Sequence, residues 1–197
     1  MQEAATSATG VDSVRYAFRA SLVGAAHQFE LTDAGLAWKL AGRSGLWRYA
    51  DIAGIRLSYR PVWMQARRFR ADLRHVNGER LTILSTSWQT AALMTAQDKE
   101  YRVFVTALHG RMMRAGSRAA LTGGLSRAIY AAALALVVLL AMAMAGLLVR
   151  ALAIREFAGV AFILGFAALF AWQIGGFLRR NRPVNYTFDD IPQNLLP

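Results

Sequence analysis

Residues 60–70, RPVWMQARRFR, place Arg60, Arg67, Arg68 and Arg70 among Trp63, Met64 and Phe69. Guanidinium groups fork onto phosphate oxygens, while Trp and Met carry apolar bodies that enter a lipid interface. That mixture suits an anionic bilayer surface. The candidate membrane-surface residues are therefore Arg60, Trp63, Met64, Arg67, Arg68 and Arg70. The competing reading is a solvated loop whose Trp63 packs on its own domain. Nucleic acid is not an expected partner, because these basic residues follow no motif of known groove geometry.

Catalytic chemistry finds little to work with. His27, His75 and His109 are dispersed, form no H-x-x-x-H, and have no carboxylate pair at ligand spacing. They read as surface or satisfied histidines. The absence of cysteine excludes disulfides, thiolate metal sites and thiol nucleophiles. There is no P-loop, G-x-G-x-x-G or G-x-S-x-G. Asp189-Asp190 is a paired carboxylate without a further ligand near it. A non-catalytic protein with no cofactor and no metal is expected.

The last residues, 179–197, read RRNRPVNYTFDDIPQNLLP. Tyr186, Phe188, Ile191, Leu195 and Leu196 make this segment too apolar for a solvated end, and it is too short to fold alone. Three readings stay open. The segment docks back on its own domain, or it is a linear motif that binds a partner in extended form, or its apolar residues are incidental.

Two uncharged runs of 22 residues, 128–149 and 157–178, dominate the final third. Each is about 33 Å long as a helix, enough for a hydrocarbon core of about 30 Å. Backbone groups in lipid must bond within their own segment, so both runs are expected as membrane-spanning helices, 127–150 and 157–178. The short connection, 151–156, forces an antiparallel hairpin, and Ala and Gly along both runs allow close approach. Arg111, Arg114, Arg118 and Arg127 precede the pair and Arg179, Arg180 and Arg182 follow it, against Arg150 and Arg155 between. The excess puts both termini on the cytoplasmic side and the connection outside. The start of the chain has no apolar core of a signal peptide, so entry by an uncleaved anchor is expected. Abundant Arg and Ala with little Lys suggest a GC-rich bacterial genome, which makes the expected membrane the bacterial inner membrane.

These runs account for the composition. Of 197 residues 55% are hydrophobic, mean hydropathy is +0.28, and 23 basic residues outnumber 12 acidic ones. A net charge of +11 then reflects membrane topology and an anionic surface as readily as a nucleic acid.

The elements that must position the basic loop lie before the hairpin. Residues 1–13 are expected to be disordered. From residue 14 to 87 short alternating runs follow one another: 14–20, 27–31, then Leu36, Trp38 and Leu40, a turn at 42–45, then Leu46, Trp47 and Tyr49, and 52–59. Runs 69–76 and 80–85 flank Asn77-Gly78, a strong hairpin signal. Seven short strands argue for a small antiparallel sandwich or barrel. Tyr101, Phe104, Val105, Leu108 and Met112 then recur at helical spacing, with Thr95 and Asp98 as a capping start. Residues 115–126 read as a linker.

Strands in series followed by one amphipathic helix resemble a bacterial pleckstrin-homology-like (PH-like) domain. The carriers are FELTDAGLAWKL (29–40), WRYADIAGIRLSYR (47–60), FRADLRHVNGERLTIL (69–84) and YRVFVTALHGRM (101–112), with the Tyr-x-Asp-Ile-x-x-Ile step at Tyr49–Ile55 the most suggestive. The resemblance implies an α+β domain at 14–114, a bent seven-stranded barrel capped by a C-terminal helix. It also implies headgroup contacts in loops between strands and frequent tethering to transmembrane helices. Members bind lipids or peptides, so fold alone does not assign the activity. The expected function is a scaffold or accessory subunit that binds membrane lipids, another membrane protein or a second copy of itself. The alternative is recognition of an anionic lipid in lipid handling or envelope signalling.

Overall fold

The computed structural model describes residues 13–21, 24–60, 67–90 and 93–197. The chain is α+β, with sheets that are antiparallel but for one parallel pair, and three α-helices among the described residues, of which the last two are long and apolar. Alternation along the first strands builds an antiparallel meander, β1 (Val14–Phe18), β2 (His27–Leu31), β3 (Leu36–Leu40) and β4 (Arg43–Trp47). Tyr16, Phe18, Phe29, Leu31, Leu36, Trp38 and Trp47 fall on its inner face and are buried. The turn expected at 42–45 is shorter, because β4 already starts at Arg43. Gly45 is a strand residue that makes room for an aromatic ring: a Cβ there would lie 2.7 Å from the indole of Trp38, its cross-strand partner.

The second sheet is centred on β5 (Ile52–Tyr59), which pairs antiparallel with β6 (Phe69–His75), and β6 with β7 (Arg80–Leu84). Asn77-Gly78 turns β6 into β7, as the sequence predicts. Two strands absent from the sequence reading, β8 (Thr86–Thr90) and β9 (Leu93–Ala96), form a separate hairpin. The strands are thus divided among sheets of four, five and two strands, and no closed barrel forms among the described residues.

Helix α1 (Asp98–Arg114) lays its apolar stripe on the core. Tyr101, Phe104, Val105, Leu108 and Met112 are each 0% exposed, and the Phe104 ring lies 5.5 Å from Tyr16 and 6.3 Å from Phe29. Thr95 does not cap it. That residue belongs to β9, and Gln97 precedes the helix without a side-chain capping bond.

Beyond α1 the expected linker is replaced by structure. Residues 120–123 form β10 (Ala120–Gly123), which pairs parallel to β5, Ala120 opposite Gly54 and Gly123 opposite Leu57. Then come α2 (Arg127–Ala153) and α3 (Phe157–Arg180), antiparallel to each other and long and apolar enough to cross a membrane. Ser126 caps α2, accepting from the Ile129 amide at 3.3 Å. None of the central window of either helix is buried, so their apolar flanks face whatever solvent surrounds them. The chain then returns to the same sheet as β11 (Val184–Asn185), antiparallel to β10. The sheet order is 11-10-5-6-7, and the helical hairpin is an insertion between two of its neighbouring strands.

Candidate functional site

Asn181 is the joint between the hairpin and the sheet. It follows α3 directly and is fully buried. Its Oδ1 accepts from the Tyr59 amide at 3.1 Å, its Nδ2 donates to the Phe177 carbonyl at 3.2 Å, and its backbone oxygen accepts from the Leu125 amide at 3.0 Å. One residue thereby ties the end of β5, the exit of β10 and the last turn of α3, the first and last through its side chain and the second through its backbone. Burying an amide requires this kind of satisfaction. Beside it the Arg180 guanidinium sits 5.0 Å from the centre of the Tyr59 ring. The Gly124 amide donates to the Leu57 carbonyl at 2.8 Å, closing the seam. Sequence reasoning passed over Asn181; an Asn just past a helix, two residues before Pro183, was the available signal.

Because β10 runs parallel to β5, both strands point toward the roots of the hairpin. Tyr59 is the last residue of β5, so the basic loop that follows leaves the sheet at the end where α2 and α3 begin and finish. Its neck is held by the Arg60 amide, which donates to the Arg68 carbonyl at 2.8 Å. Trp63 and Met64 lie outside the described residues. Arg60 and Arg67 are exposed. The other two arginines are already engaged. Arg68 Nε donates to Thr86 Oγ1 at 3.0 Å and its NH2 to Met94 Sδ at 3.1 Å, and burial beside Arg70 lowers its pKa. Arg70 Nε bonds both oxygens of Asp72, at 2.8 and 2.7 Å, on the outer face of the sheet. Of the four described residues, Arg60 and Arg67 flank the neck, while the Arg68 and Arg70 side chains are engaged by Thr86, Met94 and Asp72.

The C-terminal segment docks on its own domain. Leu195 is 0% and Leu196 4% exposed, and both join the core cluster; Ile191, Tyr186 and Phe188 pack against it. Leu195 and Leu196 are thereby taken up by the domain itself, while Tyr186, Phe188 and Ile191 stay half-buried. Arg102 Nε donates to the Pro197 carbonyl at 2.6 Å and its NH1 to Gln193 Oε1 at 3.0 Å, while Asn194 Nδ2 reaches the Arg180 carbonyl at 3.2 Å.

His109 is the polar pin of this docking. Its Nδ1 lies 2.7 Å from the Val105 carbonyl and its Nε2 3.0 Å from the Tyr186 hydroxyl. A carbonyl only accepts, so Nδ1 carries the proton and neutral Nε2 accepts from Tyr186 O–H. Burial lowers the His109 pKa and raises that of Tyr186, favouring this neutral pair. His27 packs edge-on against Phe18 at 5.1 Å and His75 lies 4.8 Å from the Trp47 ring, so the three histidines do not converge. Among the described residues no group of three His, Cys, Asp or Glu could hold a metal ion. Comparison of the chain with protein-family models, with characterised proteins and with solved structures finds no match.

Proposed function

We propose that this chain is a non-catalytic protein of a bacterial inner membrane. In this reading α2 and α3 span the bilayer, both termini are cytoplasmic, and the strand domain is held against the inner leaflet as an accessory or scaffold module. The observation that carries it is the double splice of the hairpin into one sheet. β10 precedes the helices, β11 follows them, and the two strands pair with each other. An exposed apolar hairpin of this length finds a matching solvent in lipid. The splice fixes the sheet relative to the helices, and Arg60 and Arg67 at the neck of the β5–β6 loop then face anionic headgroups. The order of meander, three antiparallel strands and helix keeps the PH-like resemblance part of this proposal.

The chain has no cysteine, so every introduced thiol is a unique probe. Ile154→Cys, in the turn between α2 and α3, should react with a membrane-impermeant maleimide on intact spheroplasts. Asn77→Cys should react only after lysis. Labelling of Asn77→Cys from outside would sink the orientation and with it the placement at the inner leaflet.

A protein partner is the second reading, favoured by β4. It ends its sheet with no neighbour on one side among the described residues, and Leu46 on it is 51% exposed. Such an edge accepts an added strand. Co-purification from mild detergent as a defined complex, lost in Leu46→Lys, would support this reading; a lone monomer throughout would remove it.

A further inference from the structure

The outer face of the β10-β5-β6-β7 sheet carries a second basic feature, separate from the loop neck. Registers place Arg56 opposite Asp72, Asp72 opposite Thr82, and Arg74 opposite both Gly54 and Arg80. A groove of about 320 Å³ runs over them, lined by Arg56, Arg70, Arg74, Arg80, Thr82 and Thr122 around Asp72. The one acid is already saturated. Arg70 bonds both of its oxygens, and Thr82 Oγ1 donates to it at 2.7 Å. Arg56 Nε rests on Thr122 Oγ1 at 3.3 Å. Arg74 and Arg80 have no carboxylate among the described residues, although they stand directly across from each other in adjacent strands. Like charges in that position destabilise a sheet unless something neutralises them. Gly54, opposite Arg74 on the other side, adds no side chain to the groove, and the Ala120 carbonyl lies over it, 3.0 Å from where a Cβ would be.

A second hollow of about 220 Å³ shares Arg56 and Thr122 with the first and ends at Ser126 and Arg127, the first turn of α2. The groove therefore starts at the root of the hairpin and descends the sheet. Arg56 on β5 and Arg74 on β6 are diagonal cross-strand neighbours, their backbones about 7–8 Å apart. Arginines at successive levels of one groove, with threonine hydroxyls between them, suit two phosphate groups better than one carboxylate.

We infer that this groove binds a doubly phosphorylated anion, one phosphate between Arg74 and Arg80 and the other between Arg56 and Arg127. The anion comes either from a lipid headgroup entering at the hairpin root or from a free solute. The site uses neither Arg60 nor Arg67, so it stands or falls apart from the contact proposed at the loop neck.

The test uses the full chain in nanodiscs and titration calorimetry with inorganic pyrophosphate. In neutral phosphatidylcholine discs the wild type should bind pyrophosphate, at least tenfold more weakly in 0.5 M than in 0.05 M NaCl. Arg74→Gln/Arg80→Gln should lose at least tenfold in affinity with no drop in melting temperature, since it removes a repulsion. Arg60→Gln/Arg67→Gln should bind as wild type, and Asp72→Asn should bind more tightly. Discs containing cardiolipin separate the sources: suppressed pyrophosphate binding there identifies a lipid headgroup, and unchanged binding identifies a soluble ligand. No pyrophosphate binding in neutral discs, or equal affinity in Arg74→Gln/Arg80→Gln, overturns the inference.

Discussion

Replacing Gly124 by alanine should undo the seam between hairpin and sheet. Gly124 has φ +76, and a Cβ there would lie 2.5 Å from the Asn181 carbonyl oxygen and closer still to that of Arg182. Both obstacles are backbone, so no side-chain rotation relieves them. The left-handed conformation alone costs a residue with a Cβ about 1–2 kcal/mol. Moving the strands apart also weakens the bonds from Gly124 to Leu57 and from Leu125 to Asn181, at about 1 kcal/mol each. The total is about 3–4 kcal/mol, or a rise of about a hundredfold or more in the open population of the C-terminal segment, if opening is a two-state step. Chymotrypsin reads this directly at Tyr186 and Phe188, because cleavage tracks the open population when reclosing is fast. Trypsin is the poorer probe, since Arg182 precedes a proline. Gly78→Ala is the control: Gly78 has φ +92 but nothing within 4 Å of the added methyl. It should carry only the conformational cost, in a distant turn, and leave the cleavage rate alone. If Gly124→Ala is cut at the wild-type rate, or both variants accelerate equally, the seam does not hold the segment.

Three further outcomes follow from the core. Leu195→Ala, at a fully buried position, should cost about 2–5 kcal/mol in denaturant unfolding and expose the C-terminal segment to protease. His109 has a lowered pKa in the fold, so below its ordinary value of about 6.5 the unfolded chain binds more protons; stability is complete above that pH and declines as pH falls toward 5. Melting curves across that window should show the decline in the wild type and lose this part of it in His109→Gln. Tyr101 is 0% exposed and its hydroxyl has no partner among the described residues, so Tyr101→Phe should be neutral or stabilising by about 1 kcal/mol in the same melts; a clear loss would mean that the hydroxyl is used.

The parts legible in the sequence are those whose pattern is local. Apolar runs of 22 residues announce α2 and α3, and the stripe from Tyr101 to Met112 is the buried face of α1. Alternation gives β1 to β3 and β5 to β7. What stayed hidden depends on distant chain. β10 is four residues and β11 two, and they pair across the whole hairpin, so neither has a periodicity to detect. Gly123 and Gly124 read as linker glycines because looseness and close approach use the same residue. In the fold a Cβ on Gly123 would meet Leu195 at 2.6 Å and Val184 at 2.7 Å. The arginines of residues 60–70 were visible as a cluster, but not the acceptors that hold two of them. Thr86 comes from another strand, β8, and only tertiary pairing brings it to Arg68, while Asp72 lies two residues beyond Arg70 on β6 itself, a local i,i+2 pairing that the strand alternation already offered. The groove arginines, Arg56, Arg74 and Arg80, are spread over three strands and converge only through register.

The late position of β11 has a consequence for biogenesis. The edge of β10 and the hollow that Leu195 and Leu196 fill remain open until the polypeptide has completed its excursion through α2 and α3 and come back. A nascent chain stalled in that excursion displays an unsatisfied strand and a greasy hole, the marks by which quality-control proteases select their victims. Completion of the head thus certifies that both helices were laid down, and a fragment ending before α2 is an unfinished object rather than a detachable module.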